Sequence, residues 1–336
     1  MFIDLDSIKE QYLPKLEQEF IRFHSRASSE TGSAIAEMSQ YQLETGGKRL
    51  RALIPLFMYQ SLGLDPVSIL HFGTAVEMIH NATLVHDDLQ DGDELRRGRP
   101  TIWKRYSSAQ AINCGDAMFQ YALQLILEMK LESSAKERLL KRAINATLHV
   151  IEGQAQEFLM KDELYPSFQR YLEVIRGKTS GLFVLPVVGA LEAAGIDQKI
   201  CDLVENAALD LGILFQIQDD VLDIYGEKGR GFRGSDVAEG KISALVAYVN
   251  ASGSSNDKSD LLKILKKPRE NTTPEDIAQA IGIFERNHCK ENAMAYIREI
   301  RKKVNSHEEL SRQAPHIYKA LVTLGQTFLA PIAAIF

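Results

Sequence analysis

The chain has 336 residues, of which 45% are hydrophobic and 25% are charged, and its formal net charge is -6 at pH 7. This composition is ample for a substantial buried core, as in a globular protein. The modest charge and dispersed basic residues argue against nucleic acid as a partner.

Targeting and membrane signals are absent from the pattern along the chain. The N-terminal sequence M-F-I-D-L-D carries acidic residues where a secretory signal would carry positive charge, so we expect a cytoplasmic protein. The longest apolar run, residues 182–191, contains a proline and a glycine. It is shorter than the roughly 20 residues that span a bilayer, so we expect a kinked, buried helix and no transmembrane segment. Cys114, Cys201 and Cys289 lack the spacing of a zinc site and are expected to be reduced, mostly buried thiols.

The predicted secondary structure is nearly all helix. Apolar residues recur at three- and four-residue spacing, as at Leu53, Leu56 and Phe57, with little alternation. A turn is expected at residues 63–66 and a helix N-cap at 272–275. Short connections predict a helical bundle, which we expect to form a single domain over residues 1–336. Looser segments are expected at the glycine-rich residues 226–241 and at the polar residues 251–260, the latter as a solvated surface loop.

Residues 84–91, L-V-H-D-D-L-Q-D, end an apolar helix with three carboxylates. Asp87 and Asp91 are four residues apart and therefore lie on one helical face, where they repel each other. A hard divalent cation would relieve this repulsion, and magnesium favours one or two carboxylates together with water and phosphate oxygens. Alone, the motif could equally be a solvated acidic helix end.

Residues 214–223, L-F-Q-I-Q-D-D-V-L-D, repeat the arrangement with Asp219, Asp220 and Asp223, again at the end of an apolar helix. If the two helices face each other, their carboxylates can hold metal ions that a substrate diphosphate bridges. Two such motifs predict a site where a diphosphate ionises.

Basic residues accompany the acidic motifs. The sequence R-R-G-R-P at 96–100 and the pair Lys178 and Thr179 offer donors for phosphate oxygens. The sequence G-G-K-R-L-R at 46–51 predicts Lys48 and Arg51 on the first turn of a helix, after two glycines that permit close approach of a second diphosphate. The alternative for this segment is an ordinary turn with a solvated basic face.

Together these motifs resemble the all-trans polyprenyl diphosphate synthase family, from residue 46 to residue 241 and in the expected order. The resemblance implies an all-α, single-domain helical bundle around a central cavity, of the isoprenoid synthase type. It implies about three magnesium ions per active site, isopentenyl diphosphate and an allylic diphosphate as substrates, and a homodimer. It also implies that Asp87, Asp91 and Asp219 are the principal metal ligands, with Asp223 as a further ligand and Asp88 and Asp220 in support.

The same resemblance implies three sets of residues that act on the substrates. Isopentenyl diphosphate would be bound by Lys48, Arg51, His80 and Arg97. The allylic diphosphate would be bound by Arg96, Lys178, Thr179, Gln216 and Lys241. The residues expected to be catalytic are Asp87, Asp88, Asp91, Arg96, Lys178, Asp219 and Lys241.

Some of these positions have plainer interpretations, and the chain departs from the family at two places. Without the resemblance, His80 would be interpreted as a packed structural histidine and Lys241 as a surface lysine. Glu157 stands where an aspartate is common, and the C-terminus lacks the basic tail of farnesyl-type members. The missing tail leaves isopentenyl diphosphate binding at that end open.

Product length is expected to depend on the helix that carries Asp87. Below Asp87, one stripe of this helix contains small or medium residues. It lacks the bulky aromatic residue that in this family tends to stop elongation early. Its members are Thr83, Ile79 and Val76, and Ala82 lies on its flank. The rise from Thr83 to Val76 is about 10 Å, which suggests geranylgeranyl diphosphate as the leading product, with longer chains as the alternative. Phe119 on a later helix is a candidate tunnel floor, or an ordinary core aromatic.

The expected mechanism is electrostatic: metals and basic residues stabilise the departing pyrophosphate, and no protein base is required. Two other functions are compatible with parts of the sequence. A class I terpene cyclase would not need a second diphosphate pocket, and a non-catalytic subunit of a heteromeric synthase would not need both acidic motifs intact.

Overall fold

The computed structural model describes residues 4–226 and 233–333 of the chain, and most of them are helical. In this described part there are seventeen α-helices, α1 to α17. In chain order they are Leu5–Thr31, Ser33–Glu44, Leu50–Ser61, Leu70–Asp91, Ile102–Arg105, Ser108–Leu127, Ser133–Asp162, Phe168–Ile175, Gly181–Ala193, Gln198–Tyr225, Ser235–Ala238, Ala244–Ser252, Ser255–Leu265, Pro274–Arg286, Cys289–Asn305, Glu308–Gln313 and Pro315–Ala333. The all-α prediction is confirmed.

Shorter elements join the helices. Pro66–Ile69 and Arg269–Asn271 are 3₁₀ turns, and Arg176–Ser180 is a π-helical turn. The strands of the described residues are β1, Leu95–Arg96, and β2, Arg99–Pro100, which pair antiparallel.

Side-chain caps begin several helices and confirm the predicted boundaries. Asp65 accepts a hydrogen bond from the backbone N–H of Val67 at 3.0 Å, which fixes the turn predicted at residues 63–66. Thr273 and Asp276 form a capping box at the start of α14, with Pro274 at its first position. Both local predictions relied on residue types whose hydrogen bonding is decided within one turn of chain.

The prediction of a surface loop at residues 251–260 was wrong. Helix α12 ends at Ser252, and α13 begins at Ser255. The Ser254 hydroxyl accepts from the backbone N–H of Asp257 at 3.1 Å, so Ser254 is the N-cap of α13. Serine, asparagine and aspartate favour helix starts as well as loops, and here the polar run is the first turn of a helix.

The residue contacts divide the chain into two units, each assembled from separate segments. Unit 1 contains residues 4–147, 182–208 and 308–324, and unit 2 contains residues 148–181, 209–226, 233–307 and 325–333. The expectation of one domain over residues 1–336 stays a prediction.

Close backbone packing shapes unit 1. A side chain at Gly73 on α4 would collide with the Ala52 carbonyl oxygen of α3, and one at Gly115 on α6 would collide with the His86 ring of α4. A side chain at Gly189 on α9 would meet the Phe72 ring of α4. Glycine at these three positions lets α3, α6 and α9 pack directly on the helix that carries the first acidic motif.

Unit 2 contains an aromatic cluster that joins three helices. The Phe168 ring of α8 stacks on the Tyr248 ring of α12, with ring centroids 4.4 Å apart. It also meets the Tyr296 ring of α15 edge-on at 5.1 Å and the Tyr171 ring of α8 at 5.7 Å. Such pairs add to the stability that burial of the rings provides.

Two further sequence predictions concern buried segments. Residues 182–191 are buried and helical, as expected, with Pro186 inside α9. Cys114, Cys201 and Cys289 are buried free thiols. Among residues 4–226 and 233–333, no single helix has the length and apolar character to span a membrane, and Phe168–Thr179 with Gly181–Ala193 passes that test only as a bent pair, by length and composition.

Candidate active site

The first acidic motif lies at the C-terminal end of α4, as predicted. Asp91 is the last helical residue, and Gly92 ends the helix in the left-handed conformation with φ of 70°. Asp87 and Asp91 are partly exposed, whereas Asp88 is 1% exposed. The two aspartates predicted to share a helical face are therefore the ones that solvent reaches.

Asp88 is held by an arginine of the β-hairpin. The Arg96 Nε atom lies 2.8 Å from both carboxylate oxygens of Asp88, and Arg96 Nη2 donates to Oδ1 as well. Burial raises the pKa of Asp88 to about 6, with the Arg96 hydrogen bond and charge acting in the opposite direction. In this structure the Arg96 side chain is buried against Asp88, and its predicted contact with an allylic diphosphate stays a prediction.

The hairpin itself is a two-residue turn with both central residues in the left-handed region, Arg97 at φ of 52° and Gly98 at φ of 79°. Tyr41 of α2 holds strand β2 of the hairpin, because the tyrosine hydroxyl donates to the Pro100 carbonyl oxygen at 2.7 Å. The Arg99 guanidinium lies over the Tyr41 ring at 4.4 Å. The hairpin thus presents Arg97 as an exposed side chain in a fixed place.

The four residues predicted to bind isopentenyl diphosphate all lie in unit 1, where one contact joins two of them and another joins a third to the basic segment. Arg51 Nη1 lies 3.1 Å from His80 Nε2. The Arg97 guanidinium packs on Gly47, the residue before Lys48. The structure therefore brings the basic segment at 46–51 to the hairpin arginine and brings α3 to α4.

One detail of that segment differs from the sequence prediction. Lys48 does not lie on the first turn of α3, because the helix begins at Leu50 and Arg49 is its N-cap in the left-handed conformation, with φ of 51°. Lys48 is exposed and precedes the cap, while Arg51 lies in the first turn. The left-handed residue between them separates the two cations that the sequence had placed on one helix.

Arg49 is a residue that the sequence analysis missed. Its guanidinium is buried, with Nε 2.9 Å from Glu17 of α1, Nη1 3.5 Å from Glu77 of α4, and Nη2 donating to the Leu43 carbonyl oxygen at 2.5 Å. Glu77 also accepts from the backbone N–H of Ala52 at 3.3 Å. Arg49 thus joins four helices around the segment that carries Lys48 and Arg51. No spacing signal in the sequence distinguishes it from its basic neighbours.

The second acidic motif lies near the C-terminal end of α10, in unit 2. Asp219 is partly exposed, and Asp220 and Asp223 are 4% and 2% exposed. Asp223 accepts from the Ser235 hydroxyl at 2.7 Å and from the backbone N–H of Asp236 at 3.2 Å, at the start of α11. Asp219 therefore matches Asp87 and Asp91 in exposure, and the predicted ligand role of Asp223 is not tested.

Asp220 is at the centre of a hydrogen-bond network in unit 2. It accepts from the Tyr171 hydroxyl and from the Ala244 backbone N–H, each at 2.7 Å, and from Gln216 Nε2 at 2.9 Å. The Thr179 hydroxyl donates to Gln216 Oε1 at 2.9 Å. Burial, and then the charge of Asp236, raise the pKa of Asp220 above its ordinary value.

The lysines predicted to bind the allylic diphosphate are both paired with glutamates. Lys178 forms an ion pair with Glu157, the glutamate that stands where the family commonly has aspartate. Gly153 lies on α7 one turn before Glu157, and a side chain there would collide with the Lys178 backbone. Helix α7 therefore closely approaches the π-helical turn that contains Lys178. Lys241 pairs with Glu239, just after α11.

The predicted mobile segment at residues 226–241 lies partly outside the described residues, which resume at Arg233. Its described part contains helix α11, followed by Lys241, whose backbone N–H donates to the Asp236 carbonyl oxygen at 2.9 Å. The side chains of Asp223 and Lys241 are thus both joined to the α11 region.

The predicted chain-length residues of α4 are all buried, with exposures of 7% or less: Thr83, Ala82, Ile79 and Val76. Phe119 of α6 is partly exposed, and its ring lies 5.9 Å from the His86 ring. His86 precedes Asp87, so Phe119 lies near the level of the first aspartate. This contact does not favour Phe119 as a floor two turns lower, and the role stays untested.

The donor set fits a magnesium site in its chemistry. Asp87, Asp91 and Asp219 offer partly exposed carboxylate oxygens, the hard ligands that magnesium prefers. Across the described residues, no group of three or more His, Cys, Asp or Glu side chains is arranged to hold a metal ion unaided. Magnesium commonly keeps water and substrate phosphate oxygens as ligands, which one or two carboxylates then supplement.

Comparison with known proteins identifies the family. The model of the family "Polyprenyl synthetase" matches residues 33–284. A short chain isoprenyl diphosphate synthase of Methanocaldococcus jannaschii is 35% identical over 249 residues, which cover 73% of this chain and 75% of that protein. A farnesyl diphosphate synthase of Geobacillus stearothermophilus is 37% identical over 223 residues, covering 63% and 74% of the two chains.

The fold agrees with the same assignment. The crystal structure of geranylgeranyl pyrophosphate synthetase from Pyrococcus horikoshii Ot3 superposes with a TM-score of 0.84, 27% sequence identity, and coverage of 97% of this chain and 98% of that chain. The predicted isoprenoid synthase fold is confirmed, and the family uses a divalent metal. The chain belongs to the polyprenyl synthetase family and is a trans-prenyl diphosphate synthase.

Proposed function

We propose that this enzyme condenses isopentenyl diphosphate with an allylic diphosphate and that its main product is geranylgeranyl diphosphate. The observation that carries the first part is the set of contacts in unit 1 that joins Arg51 to His80 and Gly47 to Arg97. A terpene cyclase has no use for a second set of diphosphate-binding cations. Intact aspartates in both motifs likewise disfavour a non-catalytic subunit.

In the proposed reaction the protein binds, orients and shields the substrates. Lys48, Arg51 and Arg97 hold the isopentenyl diphosphate by charge-assisted hydrogen bonds. Asp87, Asp91, Asp219 and Asp223 are the residues that would hold magnesium, which when bound would supply positive charge to the departing pyrophosphate.

The allylic diphosphate is bound by Arg96, Lys178, Thr179, Gln216 and Lys241. These donors stabilise the charge that develops as the carbon–oxygen bond breaks. The double bond of isopentenyl diphosphate then attacks the allylic cation, and the released pyrophosphate accepts the proton lost from the adduct. No side chain acts as nucleophile or general base.

The proposed product length is supported by the buried stripe of α4. One turn below Val76, Phe72 lies on the same helical face, is 0% exposed, and packs its ring on Gly189 of α9. From Thr83 to Phe72 the helix rises about 16 Å. Small or medium side chains above and a buried aromatic ring below suit a product longer than farnesyl diphosphate but of limited length.

Ala82→Phe is expected to shorten the product to about farnesyl length, because a ring in place of a methyl group fills the stripe beneath Asp87. Phe72→Ala is expected to lengthen it, because the ring at the lower end is removed. Mass spectrometry of the products from farnesyl and geranyl primers measures both effects. Ala82→Leu serves as a graded control with an intermediate distribution, and unchanged products in Ala82→Phe would exclude this stripe as the tunnel wall.

The proposed function is tested by incubating the purified enzyme with magnesium, isopentenyl diphosphate and, separately, dimethylallyl, geranyl or farnesyl diphosphate. Elongated all-trans diphosphates, lost when a chelator removes magnesium, are expected. Cyclic hydrocarbons without elongation would instead establish a cyclase. No turnover with any primer would favour a subunit that requires a partner.

We also propose a homodimer, on the evidence of an exposed apolar stripe on α7 within unit 2. Leu148, Ile151 and Leu159 are 57%, 52% and 57% exposed, and Phe158 is 36% exposed. Their spacing places them along one side of the helix. Aligned apolar side chains of this size are typical of a surface that a second copy covers.

Leu148→Glu combined with Leu159→Glu is expected to convert the dimer to monomers, because two buried charges without partners would destabilise the interface. Sedimentation velocity gives the mass in solution. Leu164→Glu is the matched control, since Leu164 is 70% exposed and lies beyond the end of α7. A dimer that persists in the double variant would place the interface elsewhere.

A further inference from the structure

We propose that Tyr171 is a positioning residue for the allylic diphosphate, acting through Asp220 and Gln216 on Thr179. This inference rests on the proposed function, since it assigns Thr179 and Gln216 to that substrate. Tyr171 lies in no motif of the sequence and precedes Thr179 by two turns of helix. Its hydroxyl touches none of the predicted substrate-binding groups directly.

The first link is the buried contact between Tyr171 and Asp220. Tyr171 is 2% exposed, and its hydroxyl donates to Asp220 Oδ2 at 2.7 Å. The backbone N–H of Ala244, at the start of α12, donates to the same oxygen at 2.7 Å. Two donors on one oxygen fix the plane of the carboxylate and direct Oδ1 toward Gln216.

The second link is the orientation of the Gln216 amide. A carboxylate only accepts hydrogen bonds, so Asp220 Oδ1 selects the NH2 group of Gln216, which lies 2.9 Å away. The amide oxygen is then turned toward Thr179, whose hydroxyl donates to it at 2.9 Å. The tyrosine hydroxyl therefore decides, over three hydrogen bonds, where two predicted substrate-binding groups lie.

The ring and the hydroxyl of Tyr171 have separable roles. The ring packs on Phe168, within the aromatic cluster that also contains Tyr248. This packing does not require the hydroxyl. Burial raises the pKa of Tyr171 well above its ordinary value, so the hydroxyl remains a donor. Phenylalanine at this position keeps the ring and removes only the donor.

The test is the Tyr171→Phe variant, assayed by isothermal titration calorimetry in the presence of magnesium. The probes are a thiodiphosphate analogue of the allylic substrate and, separately, isopentenyl diphosphate. We expect about tenfold weaker binding of the allylic analogue, the scale of one lost hydrogen bond to a charged group. Binding of isopentenyl diphosphate is expected to be unchanged, since its residues lie in unit 1. Unchanged binding of both probes would overturn the proposal, and so would equal weakening of both, which is the pattern of a general structural loss.

Tyr248→Phe is the matched control. It removes a hydroxyl from the same cluster, which donates to the Asn292 carbonyl oxygen at 3.4 Å and has no contact with Asp220. This variant is expected to bind both probes as the wild type does. Weakened binding of the allylic analogue by Tyr248→Phe would assign the effect to the cluster instead of to the Tyr171 hydroxyl.

A double variant tests whether the effect travels through Thr179. Thr179→Val removes the last hydroxyl of this series of hydrogen bonds. Adding Tyr171→Phe to it should therefore weaken binding of the allylic analogue by less than about twofold more. A further tenfold loss in that background would show that Tyr171 acts by another route.

If Tyr171→Phe fails to fold, Asp220→Asn interrupts the same chain with a side chain of equal size. Its NH2 group would face that of Gln216 and turn the amide, so selective weakening of the allylic analogue is again expected. If Asp220→Asn bound the allylic analogue as tightly as the wild type does, the inference would be overturned. Calorimetry does not require turnover, so failure of elongation by the wild type would overturn only the proposed function.

Discussion

Asp219→Ala and Asp87→Ala are each expected to lower kcat at least about a hundredfold while the helical fold is kept. Both carboxylates are partly exposed near helix C-termini and contribute little to the core, so the fold does not depend on them. Removing either one takes a proposed ligand from magnesium. The measurement is steady-state kcat with farnesyl diphosphate as primer, together with the far-ultraviolet circular dichroism spectrum.

Metal binding provides a second readout that does not depend on turnover. Magnesium with inorganic pyrophosphate is expected to raise the melting temperature of the wild type and to raise that of each variant less. Asp202→Ala is the control, because Asp202 is exposed near the start of α10, where it accepts from Gln198 at 2.8 Å. Near-normal kcat in either variant would exclude that aspartate as a metal ligand.

Arg49→Met is expected to reduce the free energy of unfolding by about 3–5 kcal/mol, because Glu77 would lose its buried cationic partner. The side chains of Arg49 and Glu77 are only 3% and 5% exposed, so solvent cannot replace the lost contact. Urea unfolding followed by circular dichroism measures the change. Binding of isopentenyl diphosphate should weaken as well, since Lys48 and Arg51 flank the altered residue.

Arg22→Met is the matched control for this prediction. Arg22 pairs with Glu19 at 3.1 Å, but its side chain is 74% exposed, so its removal should cost no more than about 1 kcal/mol. Combining Arg49→Met with Glu77→Met should restore part of the lost stability, because neither charge is then buried alone. A single Arg49→Met variant as stable as the control would show that this buried pair does not hold the four helices together.

The acidic motifs could be predicted from the sequence because helix periodicity alone decides their local geometry. Asp87 and Asp91 are four residues apart at a helix end, and the structure has them there. The difference in exposure between Asp87 and Asp88 also follows from the period, since consecutive residues point to different sides of a helix. Predictions of this kind depend only on the geometry of a single helix.

Features that depend on contacts between distant segments could not be predicted. Arg49 is left-handed at the start of α3, which leaves Lys48 outside the helix, and its guanidinium reaches three other helices. Tyr171 and Asp220 are joined by a hydrogen bond between helices far apart in sequence. The sequence around Tyr171 and Asp220 contains no pattern that identifies one as the partner of the other, so only the packed structure reveals the pair.

Gly47 has a consequence for the evolution of this enzyme. It has φ of 135°, a value that other residues rarely adopt, and the Arg97 guanidinium occupies the place where its side chain would begin. A variant library at position 47 should therefore contain few active members besides the parent, even if position 97 is varied too. Relieving the collision through Arg97 leaves the backbone strain, so no single compensating mutation restores a larger residue, and divergent descendants of this gene should retain glycine here.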